Sequence, residues 1–301
     1  MNSYPKAMRL ERWPRSTAIL VGSAALFVLD PTVLARLGPV SIAVRIAGAF
    51  LLTWAVSTAN YIINEIADAP FDVHHPTKRN RPLASGAVRK GPLLLWAAVI
   101  GGASLALAWL LYSRHFFLAL LALVMAGFVY NIKPVRTKDV PFLDSISESV
   151  NNPIRFLIGW YALAPPAFPP WSLLVCWWAF GNFLMVAKRL SEFRFLGERA
   201  ADYRASLRRY TRGTLLFGMA ASAAVLFAAY FAFAAAYGLR GFFWLSPFLA
   251  FYLYLFLRRT LAEKEVMEEP EKLLARPKYA VYTAALIVLF AAAFLLGRAG
   301  H

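Results

Sequence analysis

Apolar and polar residues segregate along this chain into long blocks, with no sustained alternation at the period of a strand. A bilayer core needs about twenty consecutive apolar residues to be crossed as a helix. At that window the blocks predict nine spans, at 16–34, 41–64, 91–111, 115–132, 142–164, 170–187, 213–237, 241–257 and 279–297. The fold class expected is therefore an all-α polytopic membrane protein, a single transmembrane domain over residues 1–301. No hydrophilic interval is long enough to bury a core of its own. The fifth block is the least hydrophobic of the nine.

The polar intervals differ on the two sides of these blocks. Tyr112 to Arg114 barely turns the chain, and APPAFPP at 164–170 is a proline-rich turn that cannot continue a helix. The alternate intervals are longer and basic. Together they hold 26 of the 32 Lys and Arg residues, leaving Arg36, Arg45, Arg114, Arg240 and Arg298 opposite and Arg155 within a span. The positive-inside rule then expects the N-terminus and the long intervals in the cytoplasm and the C-terminus outside. The membrane expected is the cell's inner or plasma membrane.

Composition agrees. The chain is 60% hydrophobic and 16% charged, with a mean hydropathy of +0.55, where soluble chains average about 25% charged. A soluble scaffold or nucleic-acid-binding module is excluded. The net charge of +16 lies between apolar blocks, a pattern suited to anionic membrane lipids and phosphorylated substrates. The opening MNSYPKAMRLERWPRS is too charged for a removable signal peptide. Cys176 is the only cysteine and lies in an apolar block, so neither a disulfide nor a Cys-based metal site is expected. Alanine-rich stretches at 220–236 and 284–294 suit close helix packing. Oligomeric state is left open.

The chemistry concentrates in Asn60–Gly86, NYIINEIADAPFDVHHPTKRNRPLASG. Asn64, Asp68 and Asp72 recur at four-residue spacing, which on a helix stacks them on one face. Stacked carboxylates repel unless a cation sits among them, and hard oxygen ligands favour Mg²⁺, which keeps waters and takes up substrate phosphates. The bland alternative is a solvated helix end. Lys78, Arg79 and Arg81 follow, placing a basic loop beside the acidic ridge over 60–90, an arrangement that suits a diphosphate. His74 and His75 adjoin it.

Three further polar groups stand out. In the fifth block Asp144, Glu148, Asn152 and Arg155 fall on one helical face, either as an internal Glu148–Arg155 ion pair or as the polar wall of a substrate cavity. Lys133, Arg136 and Lys138 follow YNIKP after the fourth block, with Lys133 and Arg136 taken as substrate contacts. The basic interval 188–212 opens with Lys188, Arg189 and Glu192, and its remainder is expected as an interfacial amphipathic helix.

These residues resemble the UbiA superfamily of intramembrane transferases, whose nine helices enclose a cavity open to the cytoplasmic side. Members hold a Mg²⁺-bound diphosphate through an N-D-x-x-D-x-x-x-D motif after the second helix. Here it reads Asn64-Glu65-x-x-Asp68-x-x-x-Asp72, with Glu in the second place. Prenyl-transferring members carry a second aspartate motif after the sixth helix, where this chain has Lys188-Arg189-x-x-Glu192. That departure, with HPTKRNRPLASG at 75–86 and AFGNFLMVAKRLSEF at 179–193, resembles the decaprenyl-phosphate phosphoribosyltransferase branch.

The resemblance implies a Mg²⁺-dependent glycosyltransferase that moves 5-phosphoribose from phosphoribosyl diphosphate to a polyprenyl phosphate, in the synthesis of cell-envelope arabinan. It implies metal binding by Asn64, Asp68 and Asp72. The charge pattern, for its part, suits Lys78, Arg79 and Arg81 at the donor and Lys188 and Arg189 at the lipid phosphate. Inversion at C1 is expected. The alternative enzyme is a UbiA-type prenyltransferase using an aromatic or lipid acceptor, and the remoter alternative is an anion transporter.

Overall fold

The computed structural model describes residues 3–73, 78–163, 166–197, 200–262 and 276–299. Helices dominate the described residues, and no strand occurs among them. The chain divides into two units, 1–169 and 170–301, with the boundary in the proline-rich stretch.

The first unit is built on α4 (Pro39–Asp72), a helix of 34 residues. At 1.5 Å per residue it is about 50 Å long, well beyond a hydrocarbon core of about 30 Å. Its final turns, bearing Asn64, Asp68 and Asp72, therefore extend past the apolar stretch. Gly38, at φ 72°, turns the chain into it, and Pro39 starts it where a missing N–H costs nothing. The acidic half of the 60–90 interval is thus helix. Its basic half is a loop with one short 3-10 turn, Lys78–Asn80.

Against α4 pack α1 (Ser3–Met8), α5 (Lys90–Leu111) and α6 (Arg114–Asn131). Two of the nine expected spans are not single helices. The first is a 3-10 segment, Leu10–Ala18, followed by α2 (Ile19–Leu29) and α3 (Thr32–Leu37). The break falls at Asp30, because a residue before proline is pushed out of the helical region. Asp30 Oδ1 then accepts from the Thr32 N–H at 3.2 Å.

The fifth span is α7 (Leu143–Ser149) and α8 (Asn151–Tyr161), joined at Val150. Pro153 explains the division, since it fits only the first turn of a new helix. α2 and α8 approach almost backbone to backbone. A Cβ on Gly22 would lie 1.9 Å from the Phe156 carbonyl oxygen, and one on Gly159 1.8 Å from that of Ile19. Ser23 Oγ donates to the Gly159 carbonyl at 2.8 Å. These are the small residues that let helices meet in lipid.

The second unit contains α9 (Trp171–Leu196), α10 (Ala200–Tyr203), α11 (Arg212–Ala236), α12 (Arg240–Ala262) and α13 (Pro277–Ala299). α9 and α11 pack along their length around Phe183, Leu190, Leu215 and Met219. α9 continues nine residues beyond the expected end at 187, so Lys188, Arg189 and Glu192 are helical. It stops at Gly197, with φ 53°. The amphipathic helix expected over the rest of 188–212 is instead α10 and a 3-10 turn, Ala205–Arg209.

Seven helices among the described residues are long and apolar enough to cross a membrane. Large apolar side chains such as Leu95, Leu110, Val288 and Leu296 are exposed on them, as lipid contact requires. The protein is a multi-pass membrane protein.

Candidate active site

The last turns of α4 carry the acidic ridge, and the segment after α6 brings two cations onto it. Lys138 Nζ donates to Asn64 Oδ1 at 3.1 Å, to Asn131 Oδ1 at 3.1 Å, and to Asp68 Oδ1. Its ammonium thus sits among three side-chain oxygens. Arg136 Nη2 donates to the same Asp68 oxygen at 3.0 Å, and Nε donates to Asp139 Oδ2 at 2.7 Å. Arg136 Nη1 reaches the carbonyls of Ala67, at 3.2 Å, and Asn131, at 3.1 Å. Its guanidinium also lies 4.7 Å from the Phe71 ring centroid.

Arg136 has φ 27°, a conformation that costs about 1–3 kcal/mol in a residue with a side chain and persists where surroundings over-determine it. Five contacts do so here.

The third cation comes from the loop after α4. Arg81 Nη1 donates to Asp72 Oδ2 at 2.6 Å and lies 3.6 Å from Asp68 Oδ2. Both carboxylates therefore converge on one cationic nitrogen. The spacing-based expectation of one shared face is met, and Asn64, Asp68, Asp72, Arg81 and Arg136 form one cluster. Lys133 is exposed and lies over the Phe71 ring at 5.6 Å. Lys78 is half-buried and Arg79 exposed, both in the short 3-10 turn. His74 and His75 lie outside the described residues.

The polar stripe of the fifth span occupies buried and half-buried positions. Glu148 Oε2 accepts from the Tyr130 hydroxyl at 3.0 Å, and Arg155 Nη2 lies 3.4 Å from Ser57 Oγ. In the second unit, Arg189 is 1% exposed and its Nη1 donates to Glu192 Oε2 at 3.2 Å. Arg204 Nε stands 3.8 Å from that oxygen. Lys188 is half-buried.

The UbiA prenyltransferase family profile matches residues 20–280. This chain belongs to the UbiA prenyltransferase family. Among its relatives, decaprenyl-phosphate phosphoribosyltransferase of Mycobacterium tuberculosis is 32% identical over 225 residues, covering 73% of this chain and 70% of that one. The protein of the same name from Mycolicibacterium smegmatis is 29% identical over 233 residues, 75% of this chain and 68% of that one. The fold matches a UbiA homologue from Archaeoglobus fulgidus, solved with GPP and Mg²⁺. The TM-score is 0.67 at 18% identity, over 97% of this chain and 99% of that one.

In this UbiA-family chain the motif's second position departs from the ridge. Glu65, 2% exposed, accepts from Arg9 Nη2 at 3.1 Å and from the Leu83 N–H at 3.4 Å. Burial, then the nearby charges of Arg81 and Arg12, lower the Arg9 pKa, while Glu65 works the other way. The sequence pattern gives no site role to Lys138, Asn131 or Arg9. Lys138 is legible only as part of a basic group. Asn131 follows Tyr130 at the end of an apolar block and carries no signal of its own.

Proposed function

We propose that this protein transfers 5-phosphoribose from phosphoribosyl diphosphate to a polyprenyl phosphate in a cell's inner or plasma membrane, with its N-terminus and site on the cytoplasmic side. The observation that carries the reading is the cluster in which Asn64, Asp68 and Asp72 face Arg81, Arg136 and Lys138. Its polarity suits a diphosphate: cations to hold phosphate oxygens, and an oxygen-lined ridge for a metal. Names borne by relatives about 30% identical add the phosphoribosyl and polyprenyl-phosphate assignments.

Among the described residues no three His, Cys, Asp or Glu side chains converge as a metal-holding group. The ridge offers two carboxylates and an amide. That donor set fits Mg²⁺, which takes one or two carboxylates and completes its shell with water and substrate phosphate. The two carboxylates converge on one cationic Arg81 nitrogen, which supports their sharing a positive centre. Asn64, Asp68 and Asp72 would hold the ion, and it would supply neutralisation of the diphosphate's charge.

Arg81, Arg136 and Lys138 bind the donor's diphosphate oxygens and stabilise the charge that grows there as the ribose C1–O bond breaks. Asp68 and Asp72 orient these three donors. Lys78 and Arg79 meet the sugar 5-phosphate. Lys188 and Arg189 are assigned to the lipid phosphate, with Glu192 accepting from Arg189 Nη1. An oxygen of the acceptor phosphate supplies the electron pair for the new bond to C1, and inversion at that carbon is expected. Diphosphate leaves with the electrons of the broken bond. The acceptor is already an anion, so no general base is needed.

The test is incubation of the purified protein and Mg²⁺ with phosphoribosyl diphosphate or a prenyl diphosphate, each offered a polyprenyl phosphate or an aromatic acid. Product from the phosphoribosyl and polyprenyl pair alone supports the reading. Product only from prenyl diphosphate would replace it with prenyl transfer.

A further inference from the structure

The N-terminal segment docks on α4 in a way the proposed reaction leaves unexplained. Arg9, Arg12 and Arg15 recur every third residue along the 3-10 segment Leu10–Ala18 and its first flanking residue. A 3-10 helix has three residues per turn, so Arg12 and Arg15 stand in register on one side, with Arg9 just before the first turn. Runs of this fold beyond three or four residues are uncommon; this one has nine.

The partners on α4 are one turn apart. Arg9 pairs with Glu65 at 3.1 Å, Arg12 lies over the Tyr61 ring at 5.7 Å, and Arg15 Nη1 is 3.5 Å from the Tyr61 hydroxyl. Arg9 itself has φ 52°, a left-handed conformation that a side-chain-bearing residue keeps only where contacts enforce it.

Glu65 is the junction. One carboxylate oxygen takes Arg9, and the other takes the backbone N–H of Leu83. Leu83 is two residues from Arg81, which reaches Asp72 and Asp68. Apolar packing joins the same parts: Ala7 of α1, Ile62 of α4, Val88 of the loop and Leu93 of α5 share one buried cluster, with Leu83 against it.

We propose that Arg9 and Glu65 form a clasp that holds the basic loop 78–88 in register with the acidic ridge, so that Arg81 is presented to the donor's diphosphate. Glu65 is thereby a positioning residue and not a metal ligand, although it occupies the second place of the motif. The presentation of Arg81 to a diphosphate rests on the proposed function; the clasp on the loop does not.

Hydrogen exchange of the full chain in detergent or nanodiscs tests it without substrate. Glu65→Gln removes the charge that Arg9 needs. The double variant Arg9→Met/Glu65→Met removes both charges together, so that no stranded ion confuses the result. Loop amides at 78–88 should exchange about tenfold faster or more in both, with α5 and α6 amides within about twofold of wild type. Arg9→Lys should restore most of the protection.

Phosphoribosyl transfer should then show a donor KM raised about tenfold in the double variant, with kcat within about threefold. Loop exchange within twofold of wild type in the double variant would overturn the clasp. So would an equal rise in α5 and α6, which would make the pair an ordinary structural contact. If the wild type makes no phosphoribosyl product, the proposed function fails while the exchange result still decides the clasp.

Discussion

At the scale of single residues, the site is a balance of opposed charges at close range. Asp68 is the residue both sides share, because Lys138, Arg136 and Arg81 all reach it. Asp68→Asn keeps the volume and one oxygen but removes the charge that gathers three cations. Turnover should fall about 10²-fold or more, in protein that still folds but melts lower in detergent, because three cations lose a shared counter-charge. Turnover within twofold of wild type would remove Asp68 from the site.

Lys138 makes the opposite test. Its ammonium fills the oxygen nest of Asn64, Asp68 and Asn131, so Lys138→Met leaves that nest more negative. Titration with Mg²⁺ alone should show tighter metal binding. Affinity for the phosphoribosyl diphosphate complex should weaken by the loss of a charge-assisted hydrogen bond, about 1.5–3 kcal/mol or roughly 10- to 150-fold. Parallel losses in both titrations would reduce Lys138 to a prop. The four-residue spacing made the ridge legible from sequence. Its counter-ions were less so, because Lys138 meets Asp68 across 70 positions and Arg9 meets Glu65 across 56. A linear pattern carries no distance of that kind.

At the scale of elements, the apolar blocks located helices well and their breaks poorly. Asp30 before Pro31, and Pro153 in the first turn of α8, interrupt two blocks whose mean hydropathy alone predicts continuity. The alanine-rich stretches read as packing surfaces, yet the close approach of α2 to α8 uses single glycines, Gly22 and Gly159. Isolated glycines in long apolar runs look unremarkable until a second backbone is found against them. Gly22→Val and Gly159→Val should each force these helices apart. Overpacking of this kind costs about 1–3 kcal/mol, read as a lowered thermal midpoint in detergent. Gly102, with no atom near its added Cβ, supplies the control: Gly102→Ala should leave the midpoint unchanged or raise it. A Gly22→Val midpoint equal to that of wild type would mean α2 and α8 do not meet as described.

At the scale of the whole molecule, contacts within the first unit bear on how the chain threads a bilayer. Arg9 meets Glu65 near the C-terminal end of α4, yet the chain enters α4 at Pro39, the other end of a helix about 50 Å long. Residues 10–38 must travel that length, although they do so in three short pieces. The turn between α5 and α6 lies at the entry end, where the Tyr112 hydroxyl donates to the Arg45 carbonyl at 2.8 Å. Lys138 is at the exit end with Asn64, while Tyr161 stacks on His115, at the start of α6, with ring centroids 5.2 Å apart. Residues 139–161 therefore make the same journey through α7 and α8. We propose that where α4 crosses the membrane these two broken segments cross it as well, which with the seven long helices among the described residues would make nine crossings. Nine passes, the number expected from the apolar blocks, would keep the N-terminus and the basic loop 78–90 together, whereas seven would set them on opposite faces. A reporter inserted near Val88 should accordingly read as cytoplasmic, one at the N-terminus likewise, and one after His301 as external. Opposite readings for the N-terminus and Val88 would show that α2 and α3 do not cross, and would remove the Arg9–Glu65 contact with them.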